Sequence, residues 1–165
     1  MKKLLCVLLA LVLLWASAMA EEAVPLELTE FLGRPFNDLQ AVVGGTVKRS
    51  GHSDGVTAYF TVPDGLTARY ASDNSSVKTG WSAGTVFYFS LSTEMSGFTL
   101  GGVCPGQKLE EAMAHCLAEG WTELAQAPDM LSGGLEKTVE GVKYTLGYML
   151  EDDVIILVNV RAEKL

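Results

Sequence analysis

Residues 51–55 read Gly-His-Ser-Asp-Gly, the GxSxG pattern that surrounds the nucleophilic serine of many hydrolases. At a strained strand-to-helix turn such a serine attacks an acyl carbon, with a histidine as base and a carboxylate orienting it. The order Ser53, acid, His115 is available along the chain. The local pattern opposes it. After Ser53, Val56, Ala58, Phe60 and Val62 alternate with Thr57, Tyr59 and Thr61 up to Pro63. Period two signals a strand, where an elbow needs a helix. Ser53 is therefore expected in a solvated turn built from ordinary turn residues, and no residue is assigned a catalytic role.

Other reactive groups fail on spacing. His115 and Cys116 are neighbours on an expected helix, so their side chains diverge by about 100° and cannot form a dyad. Glu151-Asp152-Asp153 lacks the spaced oxygen ligands and the glycine of a calcium loop. No CxxC, HExxH, Walker or dinucleotide fingerprint occurs, and neither a metal nor a cofactor is expected. Cys104 and Cys116 could pair in an oxidising compartment. If a helix starts near Gln107, however, Cys116 lies about 13 Å along its axis, against the roughly 7 Å between Cα atoms that a disulfide tolerates. A buried free Cys116 is favoured over the bridge.

The elements that would position these groups read as follows. Met1–Ala20 has two lysines, an apolar run from Leu4 to Trp15 and an Ala18-Met19-Ala20 site, the organisation of a cleavable bacterial signal peptide. Cleavage is expected after Ala20, with secretion or a periplasmic or cell-envelope location. Removing residues 1–20 leaves 145 of the 165 residues, with ten of the twelve basic residues against twenty acidic ones, a net charge of −10. Such a chain lacks the clustered Lys and Arg that drive binding to polyanions, so neither nucleic acid nor a membrane surface is an expected partner.

Residues 32–45, LGRPFNDLQAVVGG, and 105–120, PGQKLEEAMAHCLAEG, align at an offset of 73, each a glycine turn followed by a short amphipathic helix. In the second, Leu109, Ala112, Met113, Cys116 and Leu117 recur at the spacing of one buried helix face. Strands are expected over 56–62, 66–71, 85–91, 142–150 and 154–160, the last apolar on nearly both sides as a central strand would be. Residues 73–84 and 127–134 read as loops. This order predicts an α+β fold in two repeats, 21–96 and 97–165, with antiparallel sheet and a helix packed on one face of each.

Aromatic residues remain as candidates for binding. Tyr59 should face away from Phe60, and Tyr88 away from Phe87 and Phe89, on the side opposite the helices. Trp81 falls in the long loop, Trp121 follows the second helix, and Tyr148 lies on the alternating strand 142–150. Exposed Tyr and Trp give large contact area at low entropy cost, so these five are the expected binding residues.

The layout resembles the beta-lactamase-inhibitory-protein-like tandem repeat fold, shared in single-copy form by small outer-membrane assembly lipoproteins. The matching residues are Gly33, Phe36, Asp38 and Leu39 in the first copy and Gly106, Leu109, Glu111 and Ala112 in the second. The resemblance implies a secreted, non-enzymatic protein that holds another protein with a sheet face and loops. The inhibitor's disulfides and enzyme-blocking loop have no counterpart here, so its target is not carried over. The expectation is thus a binding module for protein or peptide. A serine hydrolase using Ser53 and a structural cell-envelope protein are the alternatives.

Overall fold

A computed structural model describes residues 24–165 except 54, 74–79, 94, 96, 129 and 130. The expected signal peptide lies outside the described residues. Along the chain run β1 (Leu26–Glu27), a 3₁₀ turn (Leu28–Phe31), α1 (Phe36–Val43), β2 (Val47–His52), β3 (Gly55–Phe60), β4 (Leu66–Tyr70) and β5 (Val86–Ser92). Then come β6 (Phe98–Thr99), α2 (Leu109–Ala118), β7 (Thr122–Glu123), β8 (Gly133–Val139), β9 (Val142–Glu151) and β10 (Val154–Lys164). Eight strands form one antiparallel sheet in the order β2-β3-β4-β5-β10-β9-β8-β7, and β1 pairs with β6 in a separate parallel ribbon.

The α+β expectation is overturned. Among the described residues 48% lie in strands and 17% in helix, so the fold is mostly β. The physical reason is how little each helix contributes: α1 buries Phe36 and Leu39, and α2 buries Ala112 and Cys116. Leu117, expected on the buried face of α2, is 48% exposed. The strands of both halves share one sheet, because β5 and β10 pair in register from Leu157↔Ser92 to Arg161↔Tyr88 and join all eight. As its apolar run suggested, β10 is central, flanked by β5 and β9.

Two adjacent lines across the sheet explain its two sides. One runs Arg49, Ala58, Ala68, Phe89, Val160, Leu146, Leu135, Glu123, one residue per strand. Its six inner members are fully buried. Burying a side chain as large as Phe89 or Leu146 is worth roughly 1.5–3 kcal/mol, so this line anchors the core. The next line runs Ser50, Thr57, Arg69, Tyr88, Arg161, Thr145, Glu136, Thr122, polar on every strand. Side chains alternate along a strand, so these two lines point to opposite faces.

Both helices reach the apolar face. The Phe36 ring of α1 meets Phe60 and Tyr70 at 6.1 and 4.7 Å between centroids. On the α2 side, Cys116 Sγ donates to the Gly101 carbonyl at 3.7 Å, and Gly101 lies against Trp121 and Leu146. Helix α1 is stopped where Gly44 and Gly45 adopt φ of +72° and +74°. A Cβ on Gly45 would overlap the Val62 carbonyl, so only glycine fits there.

The β1 segment straps the two helix-bearing regions together through Glu27. Its Oε1 accepts from Thr29 N (2.9 Å), Thr29 Oγ1 (2.5 Å) and Gly101 N (3.0 Å). Its Oε2 accepts from Thr99 Oγ1 (3.0 Å) and Gly102 N (2.8 Å). Gly101 and Gly102 have φ of +61° and +77°, which turns consecutive amides toward one point, a concavity suited to an anion.

Candidate functional site

Ser53 follows the end of β2, and across it His52 pairs with Gly55 at the start of β3. Strands flank it on both sides, so the strand-turn-helix of a nucleophile elbow does not occur there. His115 lies on α2 with its ring against Gly102, at the helix-bearing side of the other half of the sheet. Cys104 and Cys116 are both free thiols, Cys116 buried and Cys104 half-buried. Burial pushes the Cys116 thiol up from 9.0 to about 11, the Glu27 carboxylate adding to the rise, which makes it a poor nucleophile. Among the described residues no cluster of His, Cys, Asp and Glu could hold a metal, and no helix is long and apolar enough to cross a membrane.

The five aromatic candidates separate. Trp81 is only 7% exposed. Its Nε1 donates to the Ala162 carbonyl at 3.0 Å, and its ring packs where a Cβ on Gly33 would fall. Trp121 is 6% exposed, packed on Gly101. Both belong to the core, because each indole fills the space left by a glycine in a turn. Tyr148 shares the apolar face, opposite Val158, with its hydroxyl over Gly133. Burial, then Glu123 and Cys116, raises its phenol above the ordinary value. Only Tyr59 and Tyr88 stand on the polar face, Tyr59 at 44% exposure near the β2 edge and Tyr88 half-buried near the middle.

Tyr88 marks a site of which the aromatic residues form only a part. A register shift lets Arg69 pair with Tyr88 and Tyr70 with Val86, leaving Phe87 without a partner on β4. Such an irregularity re-aims a side chain, and Phe87 joins Tyr88 on the polar side instead of opposing it. The Arg161 guanidinium sits 6.0 Å over the Phe87 ring, and that of Arg69 sits 5.1 Å over Tyr88. A wall is added by the loop after β7. Gly134 and Gly147 are paired neighbours on the polar face, and Pro128 and Leu131 occupy the room where their side chains would be.

The result is a depression of about 430 Å³ in the centre of the sheet. Arg69, Tyr88, Asn159 and Arg161 line it, with Leu131 at its wall. Arg161 Nε is ion-paired with Glu163 Oε1 at 2.9 Å. Arg69, Arg161 and Asn159 were absent from the sequence-derived candidates. Their signal was available in Leu66, Ala68 and Val158, Val160, whose alternation puts Arg69, Asn159 and Arg161 on the side away from the core.

Comparison of the chain with protein-family models, curated proteins and solved structures found no match.

Proposed function

We propose that the protein is a secreted or periplasmic, non-catalytic binding module that recognises protein or peptide through the polar face of its sheet. One observation carries this reading: an eight-stranded sheet has both helices and its core on one face, while a line of polar side chains crosses every strand on the other. A scaffold this broad presents many side chains at fixed spacing, and rigid presentation lowers the ordering cost of binding. Tyr59 and Tyr88 supply aromatic contact area within that face. The resemblance in sequence to the beta-lactamase-inhibitory-protein-like repeats, at Gly33, Phe36, Asp38 and Leu39 and at Gly106, Leu109, Glu111 and Ala112, supports the same role, and export rests on the sequence of residues 1–20.

Photo-crosslinking tests it. A benzophenone amino acid at Tyr59 or Ser90 on the polar face should trap a partner from the host's culture fluid or envelope, while the same probe at Val42 or Leu117 on the helices should not. Crosslinks confined to the helix positions would move the interface to the other side. Covalent labelling of Ser53 by a fluorophosphonate would replace this reading with a hydrolase.

A further inference from the structure

We propose that the outer edge of β2 is a strand-addition site, where an acidic extended segment of the partner protein pairs antiparallel with Val47–His52. The inference rests on the reading of the protein as a module for protein or peptide, and it adds where and how the segment is held.

The register fixes which backbone groups face outward. Strand β2 ends the sheet and pairs with β3 alone. Thr61 N donates to the Thr46 carbonyl, so the residues bonded to β3 are Thr46 and, by alternation, Lys48, Ser50 and His52. The amides and carbonyls of Val47, Arg49 and Gly51 therefore point away from β3, about 6.8 Å apart from one residue to the next. Among the described residues no hydrogen bond reaches them. The other end of the sheet differs. Strand β7 has two residues, and Leu124 N donates to the Gly134 carbonyl, so the outward groups of β8 are largely taken. Sheets blunt their edges with short strands and bulges, whereas β2 runs six residues in unbroken register.

The side chains select the occupant. In an added antiparallel strand, residues opposite Lys48 and Ser50 extend the polar face, and those opposite Val47, Arg49 and Gly51 extend the helix-bearing face. Strands β2 to β5 carry Lys48, Arg49 and Arg69 and no acid, in a chain of net charge −8. Asp38, Asp54 and Asp64 lie on α1 or between strands. Arg49 is engaged, donating to Gln40 Oε1 at 3.3 Å with its guanidinium over the Phe36 ring. Lys48 is the exposed cation of the edge, so an acidic residue opposite it is favoured and a basic one disfavoured. On the other face Gly51 leaves open space beside the half-buried Val56 and Tyr70, which is room for an apolar side chain. A second copy pairing over the whole edge would set Arg49 against its own counterpart, and like charges directly opposite oppose that.

Titration of the protein with acetyl-SVEVEVS-amide, followed by amide shifts and amide exchange, tests the proposal. The peptide should bind saturably, shift the amides of Val47, Arg49 and Gly51, and slow their exchange at least about tenfold. N-methylation of the central valine, whose N–H faces β2, should weaken binding at least about tenfold. N-methylation of a glutamate, whose N–H faces away, should change it by less than about twofold. Acetyl-SVKVKVS-amide should bind about fivefold more weakly, and Lys48→Glu, at an exposed position, should invert that order. Unmoved β2 amides or equal binding of the two N-methylated peptides would overturn strand addition, and equal binding of the Glu and Lys peptides would overturn the acidic occupant. A dimer in sedimentation whose β2 amides are protected without peptide would give the edge to a second copy and overturn the proposal. Shifts confined to Tyr88, Thr145 and Asn159 would overturn the edge site and leave the sheet-face reading standing. With no shift anywhere, the edge site fails and crosslinking alone decides the sheet-face reading.

Discussion

Glu27 Oε2 accepts a hydrogen bond from the Gly102 amide at 2.8 Å, across 75 residues of chain. That bond is one of five to a single carboxylate, and it ties the β1 segment to the turn ahead of α2. Glu27→Ala leaves the amides of Gly101 and Gly102 without their acceptor. The expected cost is about 2–4 kcal/mol, seen as a lower urea midpoint. Glu27→Gln keeps one acceptor oxygen and should fall between the two. A midpoint within error of the parent for Glu27→Ala would show that the strap adds nothing to stability.

Gly147→Ala should loosen the loop that walls the polar depression. The new Cβ would occupy the position of Leu131 Cδ1, with Asn159 Oδ1 at 3.1 Å on its other side. Overpacking of this kind costs roughly 1–3 kcal/mol. Faster amide exchange in the described parts of 124–132, with unchanged exchange in β5, is the expected pattern. Protection that stays as it was would show that Leu131 simply moves aside.

Stability should fall as pH rises from about 9 to about 11. The Cys116 thiol is raised to about 11 in the folded protein, so folding favours its neutral form. That contribution is complete below the unfolded value of 9.0 and is lost as pH climbs through the folded one. The loss is about 2–3 kcal/mol. Tyr144 and Tyr148, both raised mainly by burial, titrate in the same direction at the upper end. Cys116→Ala should flatten the profile between pH 9 and 10, and an unaltered profile would remove Cys116 as its source. In the native state at pH 8 Cys116 should also resist iodoacetamide, with roughly a thousandth of it as thiolate.

Trp81→Phe should destabilise the fold by about 1–2 kcal/mol, because the Nε1 bond leaves the Ala162 carbonyl without its indole donor. The parent's fluorescence should be blue-shifted, since Trp81 and Trp121 are both buried. Emission like that of a water-exposed indole would place at least one of them outside the core.

Much of the strand content is legible from alternation, and little of the architecture is. Strands β3, β4, β5 and β9 follow from period two, the start of β10 from its continuous apolar run, and α1 and α2 from glycine turns and apolar spacing. Strand β8 escapes because it opens on Gly133-Gly134 and Leu135 is its one fully buried side chain, leaving no alternation to read. The end of β10 escapes because Arg161, Glu163 and Lys164 look like a solvated tail, though they continue the ladder against β9. The fold class fails because the two short helices bury only two side chains each while strands take 48% of the described residues, and the β5–β10 join is a pairing between distant segments that no local pattern encodes. The site divides in the same way. Tyr59 and Tyr88 are found by alternation, whereas Trp81 and Trp121 in apparent loops are drawn inward by the space above Gly33 and Gly101. Phe87 changes sides through a one-residue irregularity that lies in the pairing and not in its own neighbours.

Strand β10 comes after every other strand along the chain, yet it lies in the middle of the sheet. The apolar side of β5 thus has no neighbour on one flank until the far end of the sequence is available. Assembly must wait for contacts between distant segments, and folding is slower where such non-local contacts dominate. Were the chain exported as proposed, delayed closure would keep it threadable until its central strand could pair.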